Sequence, residues 1–349
     1  MSVKVIGYIE QCLLRMWYGK NHWYIIFLPL SWLFFVLILI RKNLFKKLSK
    51  NLYQPICPVI IVGNISVGGT GKTPFIVWLA NYLTTKNKRV AILSRGYGGV
   101  IGDTPVEVSK NSDADIVGDE PIMIATKTNC LVIVHPNRNL SCKYIAKRKI
   151  DVIICDDGLQ HYKLKRDYEI VVIDEERMFG NGRLLPAGPL REPISRLKGV
   201  NLKLSQISMS VDKYDRQNLH SNLNTFYLAG DTAVNINSGQ RMQLSEFVGK
   251  KIHAVAGIGN PDRFFNMLER QGLEADKHYF RDHQKYSANE LSFNNDGLDI
   301  LMTEKDAIKC KTIDDDRLWY VPVDLVIDED ENQWLIDIDN IVNKRDIND

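Results

Sequence analysis

The feature that most constrains this chain is a glycine-rich turn set between a short apolar run and a helical pattern. Val59–Val62 is a β-branched run of strand type. It leads into Gly63-Asn64-Ile65-Ser66-Val67-Gly68-Gly69-Thr70-Gly71-Lys72-Thr73. From Lys72 to Lys86 the apolar residues Phe75, Ile76, Leu79, Tyr82 and Leu83 recur at helical spacing. Strand, G-K-T and helix in register make a phosphate-binding P-loop of the form G-x-x-x-x-G-K-[ST], with Ser66 where the first glycine would stand. Glycines let backbone N–H groups close around phosphate oxygens, and the helix N-terminus adds its partial positive charge. Residues Ser66 to Thr73 are therefore the expected nucleotide cradle. Lys72 is expected at the β/γ-phosphates and the Thr73 hydroxyl on Mg²⁺.

A P-loop protein needs a second strand that ends in an acid. Asp151-Val152-Ile153-Ile154-Cys155-Asp156-Asp157 supplies one, with Asp156 in the magnesium-holding position and Asp157 beside it. Further apolar runs at Val90–Leu93, Leu131–Val134 and Ile170–Ile173 alternate with helical stretches at Pro121–Lys127 and Leu140–Lys149. That alternation predicts βαβ units and a mostly parallel sheet. Near residues 200–225 Ser, Asn, Gln and Asp thicken and the apolar runs shorten. Beyond them His253–Ala256 reads as a strand, with a helix from Pro261 and Asn260 at its N-cap position. The expected fold is a P-loop NTPase-like α/β/α core over 56–220, a second, smaller α/β domain over 221–349, and an N-terminal membrane segment over 1–55.

The N-terminal segment carries most of the charge asymmetry. Residues 1–55 hold eight Lys/Arg and one Glu, a balance of +7, while the remainder carries −4. A basic surface spread over the body, as nucleic-acid binding requires, is absent from this pattern. Trp23 to Ile40 is 18 residues without a charge, near the lower limit for a membrane span. Trp17, Tyr18, Trp23 and Tyr24 stand at its N-terminal edge. Arg41, Lys42, Lys46, Lys47 and Lys50 follow it, against Lys4, Arg15 and Lys20 before it. This bias predicts a cytoplasmic body. Basic residues follow the run where a signal peptide would show a small-residue cleavage site. Pro29 either kinks a spanning helix or marks a hairpin dipping into one leaflet. The six cysteines form no C-x-x-C pair, which predicts free, mostly buried thiols in a reducing compartment.

Guanine-specific enzymes use N-K-x-D after a strand. The one match, Asn343-Lys344-Arg345-Asp346, lies on a polar tail after a helical pattern, so ATP is the expected nucleotide. Of the rival classes, a membrane-associated P-loop ATPase switch would carry a lysine immediately before the paired glycines, where Val67 stands. A non-catalytic scaffold is not expected to keep Lys72, Thr73, Asp119 and Asp156.

Several runs together resemble the tetraacyldisaccharide 4′-kinases, the lipid A 4′-kinases of Gram-negative bacteria. They are the loop Val67–Pro74, Ser94-Arg95-Gly96-Tyr97-Gly98-Gly99, Gly118-Asp119-Glu120-Pro121, Asp156-Asp157-Gly158-Leu159-Gln160-His161, Leu184–Glu192, Ala256–Pro261, Asp282-His283 and Thr303-Glu304-Lys305-Asp306. The resemblance implies transfer of the γ-phosphate of ATP to the 4′-hydroxyl of a tetraacylated glucosamine disaccharide 1-phosphate, giving lipid IVA. It implies two α/β/α domains with a cleft between them, at the cytoplasmic leaflet of the bacterial inner membrane. It implies Asp119 as the base, His283 as its partner, and Glu120 with Thr73, Asp156 and Asp157 around Mg²⁺. Arg95 and Tyr97 follow a strand on the edge where ligands bind, and either touch substrate or form a plain glycine-rich loop. Gln160 and His161 either contact substrate or cap the turn after the second strand.

Overall fold

A run of buried β-branched residues with no polar alternation is a strand covered on both faces. Val59–Gly63 (β1) is buried at all five positions. The computed structural model describes residues 12–47, 52–208, 224–293, 296–327 and 333–343. Lys4, Lys50 and the boundary expected at 220/221 lie outside them, as do Lys344, Arg345 and Asp346 of the N-K-x-D match.

A short helix over 12–18 (α1) and a 3₁₀ turn at Trp23–Phe27 come first, then Leu28–Lys47 (α2). After β1 follow Lys72–Thr85 (α3), Val90–Ser94 (β2), Val106–Val108 (β3), Ala114–Val117 (α4), Asp119–Lys127 (α5), Leu131–Val134 (β4) and Arg138–Ile145 (α6). Val152–Asp156 (β5), Tyr168–Asp174 (β6), Leu202–Gln206 (β7) and Asn224–Ala229 (β8) continue the chain. Then come Thr232–Asn235 (β9), Arg241–Gln243 (β10), Ile252–Ala256 (β11), Pro261–Arg270 (α7), Ala275–Tyr279 (β12), Ile300–Thr303 (β13), Glu304–Cys310 (α8) and Leu318–Val321 (β14). Asp324–Ile327 (β15) and Gln333–Asn343 (α9) are last.

The first sheet has the order β15-β8-β7-β6-β1-β5-β2-β4-β3. Its strands run parallel from β8 to β4, with β15 and β3 antiparallel at the edges. β1 has β5 on one side and β6 on the other, so the strand order reverses there. Ligands of open α/β sheets bind at the carboxyl end of that switch point, where the glycine-rich loop stands. The second sheet, β10-β9-β14-β13-β11-β12, is parallel from β14 to β12 and has its own buried core around Phe247, Phe265 and Trp319. This is an α/β fold with a P-loop core and a second, smaller α/β sheet.

The sheets divide the chain differently from a single cut near 220. β8 and β15 hydrogen-bond as an antiparallel pair on the edge of the first sheet. α9 packs there too: Trp334, Leu335, Ile338 and Val342 share a buried cluster with Phe75 and Leu79 of α3. The Trp334 ring lies 6.2 Å from Phe75 and 5.9 Å from Trp78. Such amphipathic segments fit either sheet by pattern alone, so periodicity does not assign them.

Trp23–Phe45 is long and apolar enough to cross a membrane, and only 6% of its most apolar window is buried by the protein. Pro29 falls in the first turn of α2, where proline needs no donor, and α2 continues unbroken to Lys47. No turn among the described residues makes α2 a hairpin. The helix is fixed to the body at its base. Ser31 Oγ donates to Leu184 O at 2.8 Å and accepts from Ala187 N at 3.0 Å, while Trp17 Nε1 donates to Pro186 O at 2.9 Å. The segment Leu184–Glu192 is the socket for this apolar helix, the expected anchor. All six cysteines are free; four are buried, Cys130 is half-buried and Cys12 is exposed.

Candidate active site

The cradle begins at Ile65, two residues past the end of β1. Ser66 is buried and bridges Leu190, and Val67 N donates to Pro189 O at 2.8 Å. These two positions, expected to contact nucleotide, spend backbone groups on the anchor socket. From Gly68 to Gly71 no backbone hydrogen bond to a described residue takes up the N–H groups, and these residues line the cleft. Gly68 and Gly71 have φ of +111° and +83°, conformations that L side chains rarely adopt. A Cβ on Gly71 would lie 2.3 Å from Gln206 Oε1. Thr70 Oγ1 is buried without a partner, and Thr73 opens α3 at 8% exposure.

Three acids and Lys72 stand at the mouth of this loop. Lys72 Nζ lies 3.7 Å from Asp157 Oδ1, and Arg191 Nη1 donates to Asp157 Oδ2 at 2.8 Å. Burial would raise the Asp157 carboxyl, but Lys72 and Arg191 outweigh it and hold it below the usual range. Asp156 is different. Burial first, then the charges of Glu120 and Asp157, push it up to about 6. Its Oδ2 accepts from Ser94 Oγ at 2.8 Å, while Oδ1 is buried with no partner. Buried Arg138, which the sequence did not single out, donates to Asp156 O at 2.7 Å and steadies that strand end. The pair at this strand end therefore splits into one carboxylate bound by cations and one short of them.

Opposite this loop the second sheet brings its own loops across the cleft. Gly259 packs directly on the P-loop: a Cβ there would lie 2.3 Å from Gly69 N. Arg177 ties the two walls by donating to Gly259 O and, at 3.3 Å, to Asn260 Oδ1. Asn260 holds the N-cap position of α7, but its side chain makes no cap bond and reaches Glu176 Oε2 at 3.1 Å instead. Pro261 occupies the first turn as expected.

Asp119 and His283 meet here although 164 positions separate them. His283 Nδ1 lies 3.0 Å from Asp119 Oδ1, which also accepts from Glu120 N at 2.9 Å. Asp119 is 5% exposed and sits behind the imidazole, whereas His283 and Glu120 line the cleft. Burial raises the Asp119 carboxyl, but the His283 hydrogen bond and the charges of Lys305, His283 and Lys309 outweigh it and leave it lowered. His283 has φ of +59°, an uncommon conformation for a non-glycine residue that functional loops hold at a cost. The Tyr97 ring lies 5.1 Å from the imidazole.

Arg95 and Tyr97 are exposed and line the same cleft. Gln160 is engaged within the protein: its Nε2 donates to Glu192 Oε1 at 2.8 Å, and Arg41 of α2 donates to its carbonyl at 3.1 Å. His161 Nε2 is buried without a partner. Burial and then the charges of Arg138, Arg166 and Lys163 push its pKa down to about 4, so the ring is neutral near pH 7. The cleft, about 2320 Å³, is continuous from the P-loop to Phe34, Leu37 and Ile38 of α2.

A sequence profile described as tetraacyldisaccharide-1-P 4′-kinase matches residues 23–341. The tetraacyldisaccharide 4′-kinase of Methylobacillus flagellatus is 43% identical over 318 residues, 90% of this chain and 91% of that one. The enzyme of the same name from Haemophilus influenzae is 43% identical over 319 residues, 91% and 93% of the two chains. Among solved structures, LpxK from Aquifex aeolicus in complex with ATP superposes with a TM-score of 0.70 at 26% identity, covering 92% of this chain and 99% of that one. Cradle, carboxylates, imidazole and anchor thus occur in a chain that belongs to the tetraacyldisaccharide-1-P 4′-kinase family.

Proposed function

We infer that this chain transfers the γ-phosphate of ATP to the 4′-hydroxyl of a tetraacylated glucosamine disaccharide 1-phosphate, giving lipid IVA. The observation that carries this reading is one cleft with three kinds of wall: a P-loop, a carboxylate–imidazole pair, and the apolar face of a membrane helix. A membrane-associated ATPase switch has no use for the second. The apolar wall suits the acyl chains, and the basic residues following Ile40 hold the body at the cytoplasmic leaflet of the inner membrane.

The donor set fits Mg²⁺, a hard ion held by few carboxylates together with water and phosphate oxygens. Among the described residues no group of three or more His, Cys, Asp or Glu is arranged to hold an ion alone. Asp156 offers a buried, unpartnered oxygen, Glu120 and Asp157 stand near enough to act on its charge, and Thr73 lines the same cleft. These four residues would hold the ion, which when bound neutralises charge on the transferring phosphate.

Gly68 to Gly71 bind the phosphates through N–H groups, and Lys72 exchanges Asp157 for the γ-phosphate. Arg95 and Tyr97 orient the sugar, with Gln160 and His161 on the anchor side. Asp119 stays ionised behind His283 and faces Nδ1, so the ring presents Nε2 as proton acceptor. The sugar hydroxyl gives its proton to Nε2 as its oxygen attacks the γ-phosphorus, and the bond to ADP breaks. The carboxylate first named as base therefore acts through the imidazole in front of it.

The test is γ-labelled ATP with the tetraacyl disaccharide 1-phosphate in detergent micelles. Label is expected in the lipid. Label confined to ATP and free phosphate would overturn the assignment.

A further inference from the structure

Thr303-Glu304-Lys305-Asp306 opens α8 at the carboxyl end of β13, and its four side chains separate into two tasks. Thr303 caps the helix, and Asp306, fully buried, accepts from Gly257 N, Tyr286 OH and Thr303 Oγ1 at 3.0, 2.8 and 2.6 Å. Lys309 is tied to the same carboxylate at 3.1 Å. Glu304 pairs with Lys127 at 2.8 Å. These contacts build the helix into the fold. Lys305 takes part in none of them.

All of the partners of Lys305 belong to the reacting side of the cleft. Its ammonium is 12% exposed and donates to Asp282 Oδ1 at 2.8 Å and Glu120 Oε1 at 3.1 Å. It lies 3.4 Å from His283 Nε2 and 3.9 Å from Asp119 Oδ2. A lysine ammonium has three donors, and Asp282, Glu120 and His283 supply three acceptors. Three acidic side chains, Asp282, Glu120 and Asp119, face the ammonium within 3.9 Å and match its positive charge. An ammonium cannot accept a hydrogen bond, so the ring nitrogen facing it presents a lone pair and the hydrogen sits on Nδ1, toward Asp119. Glu120 comes from α5 on the first sheet, whereas Asp282 and His283 come from the loop after β12.

We propose that Lys305 is a positioning residue for phosphoryl transfer: one buried ammonium pins Glu120 and Asp282 across the cleft and holds the His283 hydrogen on Nδ1, until the sugar hydroxyl takes the place of the Lys305 N–H at Nε2. Lys305 forms and breaks no covalent bond. It aligns a pair that two separate sheets contribute, and without it three acids and a ring share a small space with fewer cations to hold them. This inference rests on the kinase reading given above.

The experiment uses the full chain in micelles and compares Lys305→Met, Lys305→Ala and Lys305→Arg with Asp119→Ala. Lys305→Met is expected to lower kcat about 100-fold, as an ångström of misplacement does, with the KM for ATP within about threefold of wild type. Ethylammonium should restore part of the kcat of Lys305→Ala in a saturable way, and Lys305→Arg should keep more activity than Lys305→Met. Thermal melting with and without ATP shows that each variant folds and binds nucleotide. The proposal is overturned by a wild-type kcat in Lys305→Met, by a loss confined to the KM for ATP, or by failure of both ethylammonium and arginine to restore turnover. If Asp119→Ala retains full lipid phosphorylation, the kinase reading of the pair fails. If only the Lys305 variants stay active, the fault lies with this inference alone.

Discussion

The two walls of the cleft solve the same problem, holding charge in place, by opposite means. The nucleotide wall is local. A single loop, residues 68–73, presents backbone N–H groups at a helix N-terminus, and its shape depends on glycine torsions more than on any one side chain. The acceptor wall is assembled from a distance. Asp119, His283 and Lys305 come from three parts of the chain, and no backbone segment joins them. A backbone cradle tolerates the loss of a neighbouring side chain, whereas a charge cluster does not, because each member is the counter-ion of another.

The largest test of this contrast compares the two walls directly. Asp119→Ala should lower kcat for lipid phosphorylation by about 10³-fold and leave ATP affinity within a few-fold. Lys72→Ala should weaken ATP binding as well as turnover. Steady-state kinetics with direct nucleotide titration separates them, and an Asp119→Ala enzyme that loses ATP binding would erase the distinction.

Asp156 tests the nucleotide wall alone. Its carboxyl titrates near 6 in the folded chain against an ordinary value of 3.8. The folded state thus binds this proton more readily than the unfolded state, so the group costs stability above about pH 6. That cost fades as pH falls toward 4, opposite in sign to a salt-bridged acid. In chelator and without nucleotide, Asp156→Asn should therefore be the more stable protein at pH 7.5, by up to about 3 kcal/mol. Melting curves should show the advantage shrinking at pH 5. Its activity should fall at the same time. An advantage that grows on acidification would refute the assigned shift.

The smallest effect lies outside both walls. Ser31→Ala removes two hydrogen bonds at the anchor socket and takes the partner from the Ala187 N–H, while the Leu184 carbonyl keeps the Gly188 N–H. A loss of about 1 kcal/mol is expected, read as a lower melting temperature with an unchanged KM for ATP.

The same contrast explains what could be read from residues alone. The P-loop, the strand ending at Asp156 and the anchor are contiguous, so spacing and hydropathy reveal them. Alternation predicts a mostly parallel sheet, as the run from β8 to β4 is, but not the order of its strands. Asp119 and His283 carry no local signal, and only the resemblance to a kinase family brought them together. Lys305 stood inside a quoted motif, yet a lysine buried among acids and one on a solvated helix look alike in sequence. The end of β13, an apolar run closing on polar residues, was the available clue. The placement of β8, β15 and α9 was illegible for a different reason. Their half-buried patterns suit any sheet edge, and long-range pairing decided among them.

That last pairing bears on how the protein is made. The apolar helix α2 leaves the ribosome early, whereas the edge strand and helix that close the nucleotide sheet lie some 280 positions later. The Phe75, Trp78 and Trp334 cluster cannot form until translation has nearly finished. The first sheet thus lacks that edge through most of synthesis. The nucleotide sheet is therefore completed by the last-made part of the chain.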